Sequence, residues 1–201
     1  MQITSPEFKS NSRAALADPQ LQKALGNVRS GFIDKRLKAV ADLPEFERLR
    51  DSAKAIKDHV LAHLDLYLEA YEGKVLEAGG KVHWCQSAED ARQAILAICR
   101  SVDARVVTKG KSMITEEIAL NDFFEKNAIT PVETDLGEYI IQLRGEHPSH
   151  IIAPAVHLNK EQVEADFRRV HDHLAPSRDL NEPEALLNEA RRVLRSRYFE
   201  A

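Results

Sequence analysis

The sequence predicts an α/β fold in which a parallel sheet is flanked by helices and preceded by a long N-terminal helical region. After residue 79, short apolar β-branched segments alternate with longer helical segments. This alternation is typical of repeated βαβ units, which need a parallel sheet covered by helices. Before residue 79, apolar residues recur at helical spacing. We therefore expect an N-terminal helical region over residues 1–78 and the first part of an α/β domain over residues 79–201.

The helical prediction for the N-terminal region depends mainly on one apolar stripe. After Pro44, apolar residues fall on a single helical face at Ile56, Val60, Leu61, Leu64 and Leu68. Gly79 and Gly80 then supply the flexible backbone that ends helices. His59 and His63 lie about one helical turn apart without a third ligand nearby, so we expect a solvated face there and no metal site.

The other elements follow the two glycines in order. Strands are predicted over residues 81–85, 104–109, 130–134 and 149–156, and helices over residues 87–102, 115–128, 136–145, 159–174 and 184–201. Residues that can cap helices mark several of the helix starts, namely Ser87 with Asp90, Thr115, and Asn159 with Gln162. The sequence therefore predicts four strands in a parallel sheet.

Composition argues against several classes of protein. The 201 residues include 28 Lys+Arg and 32 Asp+Glu, a formal charge of -4, so no broad cationic surface is available for nucleic acid. There is no run of about 18 apolar residues and no signal-peptide pattern, and we expect a cytoplasmic protein without a membrane span. Cys85 and Cys99 are too few for a zinc or iron–sulfur motif, so we expect two buried thiols and no cofactor in this segment.

A lysine-rich turn follows the second predicted strand. It comprises Lys109, Gly110, Lys111 and Ser112, and Thr115 opens the next helix. Ligands of open parallel sheets bind beyond the carboxyl ends of the strands, where helix N-termini present free N–H groups. The two lysines, the serine and the threonine are therefore candidate ligands for a small carboxylate or phosphate. The alternative is a plain turn with solvated lysines, and the glycine spacing does not match an ATP-binding loop.

Two further groups are predicted at the same edge of the sheet. Asp135 and Glu138 follow the third strand and could form a carboxylate pair or form ion pairs with the lysines. The alternative is that they cap the start of a helix. His157 closes the fourth strand and is a candidate hydrogen-bond donor or proton-transfer group. His150 would lie about 20 Å from His157 along a regular strand, so we do not expect these histidines to share a metal.

Three segments carry a family resemblance: KGKSMITEEIALN, VETDLGEYIIQLRGEHPSHIIAPAVH and the upstream RDSAKAIKDHVLAHLDLYL. In them the chain resembles the LUD-domain lactate-utilization proteins, most closely their B subunits, over nearly its whole length. The family's lysine-serine-lysine-serine-methionine turn corresponds to Lys109 through Met113, with Gly110 in place of the usual serine. His147 stands where the family commonly has proline, which argues against a site role for it.

The resemblance implies a fold similar to the sugar-phosphate isomerases and CoA transferases. It also implies the iron–sulfur subunit of an electron-transfer complex that oxidises L-lactate to pyruvate, with other lactate-utilization subunits as partners. The family's two 4Fe-4S clusters belong to a later region that is absent here, so we expect an incomplete domain that is not catalytically complete. The alternatives are an anion-binding domain without a redox role, or a scaffold that docks subunits.

Overall fold

The computed structural model describes residues 5–201 and divides them into two compact units. The sheet unit comprises the chain up to Val28 together with Ala88–Ala201, and the helical arm comprises Arg29–Ser87. The first helices join the sheet unit through contacts such as the bond from Gln20 Nε2 to the His157 carbonyl oxygen, at 3.1 Å. The predicted domain boundary between residues 78 and 79 does not coincide with this division and stays a prediction.

Helices dominate both units. In the first part of the chain they are α1 (Phe8–Ala17), α2 (Pro19–Val28), a π-helical turn (Arg29–Ile33), α3 (Asp34–Ala41), α4 (Phe46–Ala62) and α5 (Leu64–Glu77). The rest of the chain contains α6 (Ala88–Ser101), β1 (Val106–Lys109), α7 (Met113–Glu117), α8 (Leu120–Lys126), β2 (Thr130–Glu133), α9 (Leu136–Arg144), α10 (Lys160–Val170) and α11 (Pro183–Glu200). No helix in the described residues is long and apolar enough to cross a membrane.

The strands β1 and β2 form a parallel sheet, which confirms the α/β class with a parallel sheet flanked by helices. Val106 pairs with Thr130 at one end of the register, and Lys109 pairs with Glu133 at the other. The ladder continues just beyond the strands, since Thr134 N donates to the Lys109 carbonyl oxygen at 2.9 Å. Lys109 and Glu133 therefore lie side by side at the carboxyl edge of the sheet.

The prediction of a strand over residues 81–85 is wrong. This segment is irregular and, in the part of the chain that the structure describes, pairs with no strand. Trp84 instead lies 58% exposed, and its Nε1 donates to Glu72 Oε1 at 2.8 Å. An apolar segment becomes a strand only where a neighbouring strand takes up its backbone N–H and C=O groups, and the helical arm has none.

The prediction of a strand over residues 149–156 is also wrong. Pro154 and the preceding Pro148 lack the N–H that a strand ladder needs. The segment folds into turns: Ser149 N donates to the Pro154 carbonyl oxygen, and His150 Nδ1 accepts from the amides of Ile152 and Ala153. The distance of about 20 Å expected between His150 and His157 assumed a regular strand and therefore does not apply. In the described residues the sheet has two strands instead of the four predicted.

The structure confirms the capping pair predicted at residues 159 and 162 and the capping alternative for Asp135. Asp135 caps the start of α9, Gly145 ends it at φ 66°, and Asn159 forms a capping box with Gln162 at the start of α10. The prediction that Thr115 caps a helix over residues 115–128 is wrong. Ser112 caps α7, and the left-handed residue Ala119, at φ 49°, separates α7 from α8.

Two apolar clusters form the core of the sheet unit. One joins α6, β1 and α8 through five buried residues: Leu96, Cys99, Leu120, Phe124 and Ile129. The other joins α9, α10 and α11 through six: Tyr139, Ile140, Phe167, Leu180, Leu186 and Ala190. The helices α8 and α9 both pack against β2, and this holds the carboxyl edge of the sheet between the two clusters.

The helical arm has no core of its own. No residue of Arg29–Ser87, all of which the structure describes, is buried. The long helix expected after Pro44 is interrupted at His63, and the predicted apolar stripe is largely exposed, with Ile56 at 66% and Leu61 at 69%. Cys85 is exposed and Cys99 is buried, so the expectation of two buried thiols holds only for Cys99.

Candidate functional site

Lys109 lies buried at the centre of a charged cluster. Its Nζ contacts the carboxylate of its register partner Glu133 and lies 3.3 Å from Glu116 Oε1 and 2.7 Å from Asn121 Oδ1. The side chains of Lys109 and Glu133 are 5% and 4% exposed. A buried ammonium ion needs such partners because burial removes its hydration. The charge of Lys109 is therefore engaged by protein groups and does not face solvent.

The other predicted residues of the lysine turn lie beside this cluster. Lys111 is 42% exposed, with its Nζ 3.2 Å from Asp135 Oδ2 and 3.3 Å from the Ile152 carbonyl oxygen. Thr115 Oγ1 donates to the Ser112 carbonyl oxygen at 2.7 Å. The backbone of Lys111 is left-handed, at φ 42°. In this cluster, Lys111 is the lysine that a solvent-borne anion can reach.

The two predicted acidic residues have different environments. Asp135 Oδ1 accepts from the backbone amides of Gly137 and Glu138, so Asp135 is a helix cap as well as the partner of Lys111. Glu138 is 4% exposed, and neither of its carboxylate oxygens has a hydrogen-bond partner among residues 5–201. Burial raises the pKa of Glu138, and repulsion from Glu133 and Asp135 raises it further. Glu138 is thus a buried carboxyl group that holds a proton more firmly than an ordinary glutamate.

Glu138 lines a small cavity of about 40 Å³. The walls also include Glu116, Asn121, Glu133 and Glu146. A water molecule occupies at least about 10–15 Å³ on such a measure, so the cavity has room for a few waters and for nothing larger. The arrangement can hold and exchange a proton between a buried carboxyl group and water.

His157 joins the same group of residues through Glu146. Its Nε2 lies 2.9 Å from Glu146 Oε2, and its Nδ1 forms a hydrogen bond with Ser149 Oγ. Burial alone would raise the pKa of Glu146, but hydrogen bonds from His157 and Arg144 outweigh burial and lower it. The structure therefore connects the predicted His157 to the wall of the cavity through a carboxylate that the sequence analysis did not select.

We predict that Glu138→Gln stabilises the sheet unit in a pH-dependent way. Because the pKa of Glu138 is raised, the folded state keeps a proton that the unfolded chain releases, and the free energy of unfolding falls as pH rises above the ordinary glutamate value. Glutamine cannot ionise and avoids this loss. The variant should match the wild type near about pH 4 and exceed it by about 1–2 kcal/mol near about pH 8 in urea unfolding followed by circular dichroism.

The matched control is Glu117→Gln, since Glu117 is an exposed residue of the nearby helix α7. This variant should show no gain that grows with pH. A constant or decreasing gain for Glu138→Gln between acid and neutral pH would show that Glu138 is not the buried acid described here.

The sequence analysis missed a second polar cluster, formed by His171, His173 and Glu189. Glu189 is fully buried, and its Oε1 lies 3.1 Å from His171 Nδ1 and 2.8 Å from His173 Nε2. Burial lowers the pKa of His171, and burial raises the pKa of Tyr139, its hydrogen-bond partner, to about 12. Both groups are therefore neutral at physiological pH.

A sequence signal for this cluster existed at the end of α10. The prediction of a helix over residues 159–174 placed both histidines on a helix, but α10 ends at Val170. Arg168 and Arg169 in the last turn mark that end, because cations are favoured at helix C-termini. Glu189 lies on the next helix, and nothing local indicates that it contacts His171 and His173.

Most of the chain matches a known protein family. The model of the LUD domain matches residues 68–201, two thirds of the chain and all of the carboxyl-edge residues described above. The chain belongs to the LUD-domain family. The LUD match also covers the cluster around Glu189. No solved structure matches the chain significantly.

Several curated proteins are similar to this LUD-domain chain over its full length. It is 38% identical to lactate utilization protein B of Macrococcus caseolyticus and 36% identical to lactate utilization protein B of Bacillus subtilis. It is 37% identical to the uncharacterized electron transport protein YkgF of Escherichia coli. The LUD-domain chain spans 42%, 41% and 42% of the lengths of these three relatives, respectively.

Proposed function

We propose that this LUD-domain chain is the N-terminal portion of a lactate utilization protein B, acting in a complex that oxidises L-lactate to pyruvate. The observation that carries the proposal is similarity over the whole of this chain to part of the proteins of that name. It is combined with a buried carboxyl group, at the ligand edge of the sheet, that has no partner in the described part of the chain. A buried polar group without partners costs free energy, and such groups persist where function requires them.

In this proposal the carboxyl edge of the sheet binds a small carboxylate or phosphate and takes up and releases a proton. Lys111 and Ser112 bind the anion. Thr115 positions Ser112 through a hydrogen bond to its carbonyl oxygen, and Asp135 positions Lys111 through an ion pair. Lys109 holds the acidic residues in place. Glu138 holds a proton at the cavity, and His157 contacts the cavity wall through Glu146. Oxidation of lactate to pyruvate releases two electrons and two protons, so a proton-holding group suits this reaction class.

The electron-transfer part of the proposal concerns the longer protein. A 4Fe-4S cluster takes four cysteine thiolates, whereas this chain offers only Cys85 and Cys99. Cys85 is exposed in the helical arm and Cys99 is buried in the sheet unit. The residues present do not fit a cluster, so we propose that the two clusters of the family lie outside residues 1–201.

A chimaera tests the proposed function. The aligned segment of the Bacillus subtilis lactate utilization protein B is replaced by residues 1–201 in a strain that lacks the native gene. We expect the chimaera to restore growth on L-lactate as the sole carbon source. With Glu138→Gln growth should fail, although the protein is more stable, whereas the Glu117→Gln chimaera should grow. A folded, expressed chimaera that leaves the strain unable to use L-lactate would contradict the proposal.

Ligand binding by the purified chain separates the redox role from a plain anion-binding role. We expect L-lactate to raise the melting temperature of the wild type and to have a smaller effect on Lys111→Met. Stabilisation by phosphate esters or CoA, but not by L-lactate, would favour the alternative of an anion-binding domain without a redox function.

A docking role is a second candidate, favoured by the helical arm. Its 59 residues, Arg29–Ser87, bury no side chain yet expose apolar residues that include Leu61, Leu66 and Tyr71. A helical segment without a core gains most stability by covering its apolar face. We propose that another subunit of the lactate-utilization complex binds to this apolar face. Changing these three residues to serine should abolish co-purification of that subunit with the chimaera while leaving the melting temperature unchanged.

A further inference from the structure

His171, His173 and Glu189 place three metal-binding atoms together. One nitrogen of each imidazole and one carboxylate oxygen lie within 4.8 Å of one another. A zinc-like ion binds imidazole nitrogen and carboxylate oxygen at about 2.0–2.2 Å, so ligand atoms on opposite sides of an ion are about 4 Å apart. The three side chains therefore reach a common ion with shifts below about 1 Å.

The two imidazole rings are held in orientations that suit ligation. His171 lies between Phe167, with ring centroids 4.7 Å apart, and His173, with centroids 5.6 Å apart. Tyr139 Oη lies 2.9 Å from His171 Nε2, the nitrogen that faces away from Glu189. A partner on the distant nitrogen fixes the tautomer and the ring direction of a metal-binding histidine. Nδ1 of His171 is thus the atom presented to an ion.

The cluster opens into a cavity of about 360 Å³. His171 and His173 line it on one side, and Arg192, Ser196 and Arg197 line it on the other. Three protein ligands with an adjoining open space are the arrangement of metal sites that bind a further small molecule. Asp172 and Glu200 line it as well, and Arg197 Nη1 lies 3.0 Å from Glu200 Oε2, so Arg192 is the lining cation that an anionic group would meet.

We propose that His171, His173 and Glu189 bind a divalent first-row transition metal ion whose open coordination position faces the cavity beside Arg192. Imidazole and carboxylate ligands together suit Zn²⁺, Co²⁺ and Fe²⁺. The ion and Arg192 together would bind a small anion with a carboxylate or phosphate group. This inference goes beyond the proposed function, and its test requires no lactate oxidation.

The ion can replace the present counter-charges of Glu189. Arg192 lies 3.3 Å from Glu189, and Arg178 lies 3.9 Å from it, but their side chains are 52% and 47% exposed. Half-exposed arginines can move their charge into water at little cost, whereas the buried carboxylate cannot leave its histidine partners. Occupation by a metal therefore needs movement of long side chains only.

Cobalt binding tests the proposal on the full chain after treatment with a chelator. We expect one Co²⁺ per chain, with visible absorption bands of a bound ion that Zn²⁺ displaces. His173→Ala should weaken binding by at least about 100-fold, and Tyr139→Phe by about 10–100-fold, the usual range for loss of a group that orients a ligand. His173 is 43% exposed, so its loss should leave the fold intact, which circular dichroism verifies.

The matched control is His63→Ala, which removes the exposed pair of His59 and His63 whose rings lie 4.7 Å apart. This control should bind Co²⁺ like the wild type. The proposal is overturned if the wild type binds no Co²⁺ at micromolar concentrations. It is equally overturned if His63→Ala abolishes binding while His173→Ala retains it.

Discussion

Lys109→Met is expected to destabilise the sheet unit by about 3–5 kcal/mol, the usual cost of removing one partner from a buried ion pair. The substitution leaves the buried carboxylate of Glu133 without its ammonium partner, and Glu116 and Asn121 lose the same contact. Glu138, whose pKa already rises partly through repulsion from Glu133, lies in the same surroundings. Removal of this buried cation therefore affects several acidic groups at once.

Denaturant unfolding followed by far-ultraviolet circular dichroism measures this effect. The fluorescence of Trp84, the single tryptophan of the sequence, is unsuitable because Trp84 lies in the helical arm. Lys111→Met is the matched control and should cost less than about 1 kcal/mol, because the Lys111–Asp135 pair is partly exposed. Addition of Glu133→Gln to Lys109→Met should recover at least about 1 kcal/mol. A loss for Lys109→Met as small as that for Lys111→Met would disprove the buried ion pair.

Phe167→Ala is expected to cost about 3–5 kcal/mol, the range for truncation of a fully buried aromatic side chain. Phe167 is 1% exposed and lies in the apolar cluster that joins α9, α10 and α11. Its ring also stacks on His171, so truncation should loosen that imidazole. We therefore expect the variant to lose Co²⁺ affinity as well as stability.

Phe199→Ala is the control for this substitution. Phe199 belongs to the same unit but is 74% exposed, so its truncation should change stability by less than about 0.5 kcal/mol. The two variants together separate loss of buried surface from loss of an aromatic ring. Equal unfolding free energies for Phe167→Ala and the wild type would mean that Phe167 is not part of the core.

Local features of the sequence were predicted with success. Asp135 caps the start of α9, and Asn159 with Gln162 caps the start of α10, since a cap depends on residues only a few positions apart. The two strands that pair, β1 and β2, were both expected. The strand predicted over residues 81–85 failed because an apolar pattern cannot show whether a neighbouring strand exists. The strand predicted over residues 149–156 failed because Pro154 lies inside it, a signal against a strand that the sequence itself contains.

The sequence predicted which residues form the candidate site but not which of their charged groups are buried. Lys109 was expected as a free cation, and it is instead the buried partner of Glu133. Glu138 was expected to form a carboxylate pair with Asp135, to pair with the lysines or to lie in a capped first helical turn, and it is a buried carboxyl group without a partner in the described residues. Burial of a charge depends on the packing of α8 and α9 over the sheet, which no short segment of sequence specifies.

The amino-acid sequence by itself determined the parallel α/β class, the caps of α9 and α10, and the family to which the chain belongs. These depend on local propensity and on motif identity. Only the tertiary structure decided which charges are buried, and it alone brought Glu189 to His171 and His173 across two helices. The reason is that solvation and long-range contacts set the state of an ionisable group, and both arise from the folded arrangement of distant segments.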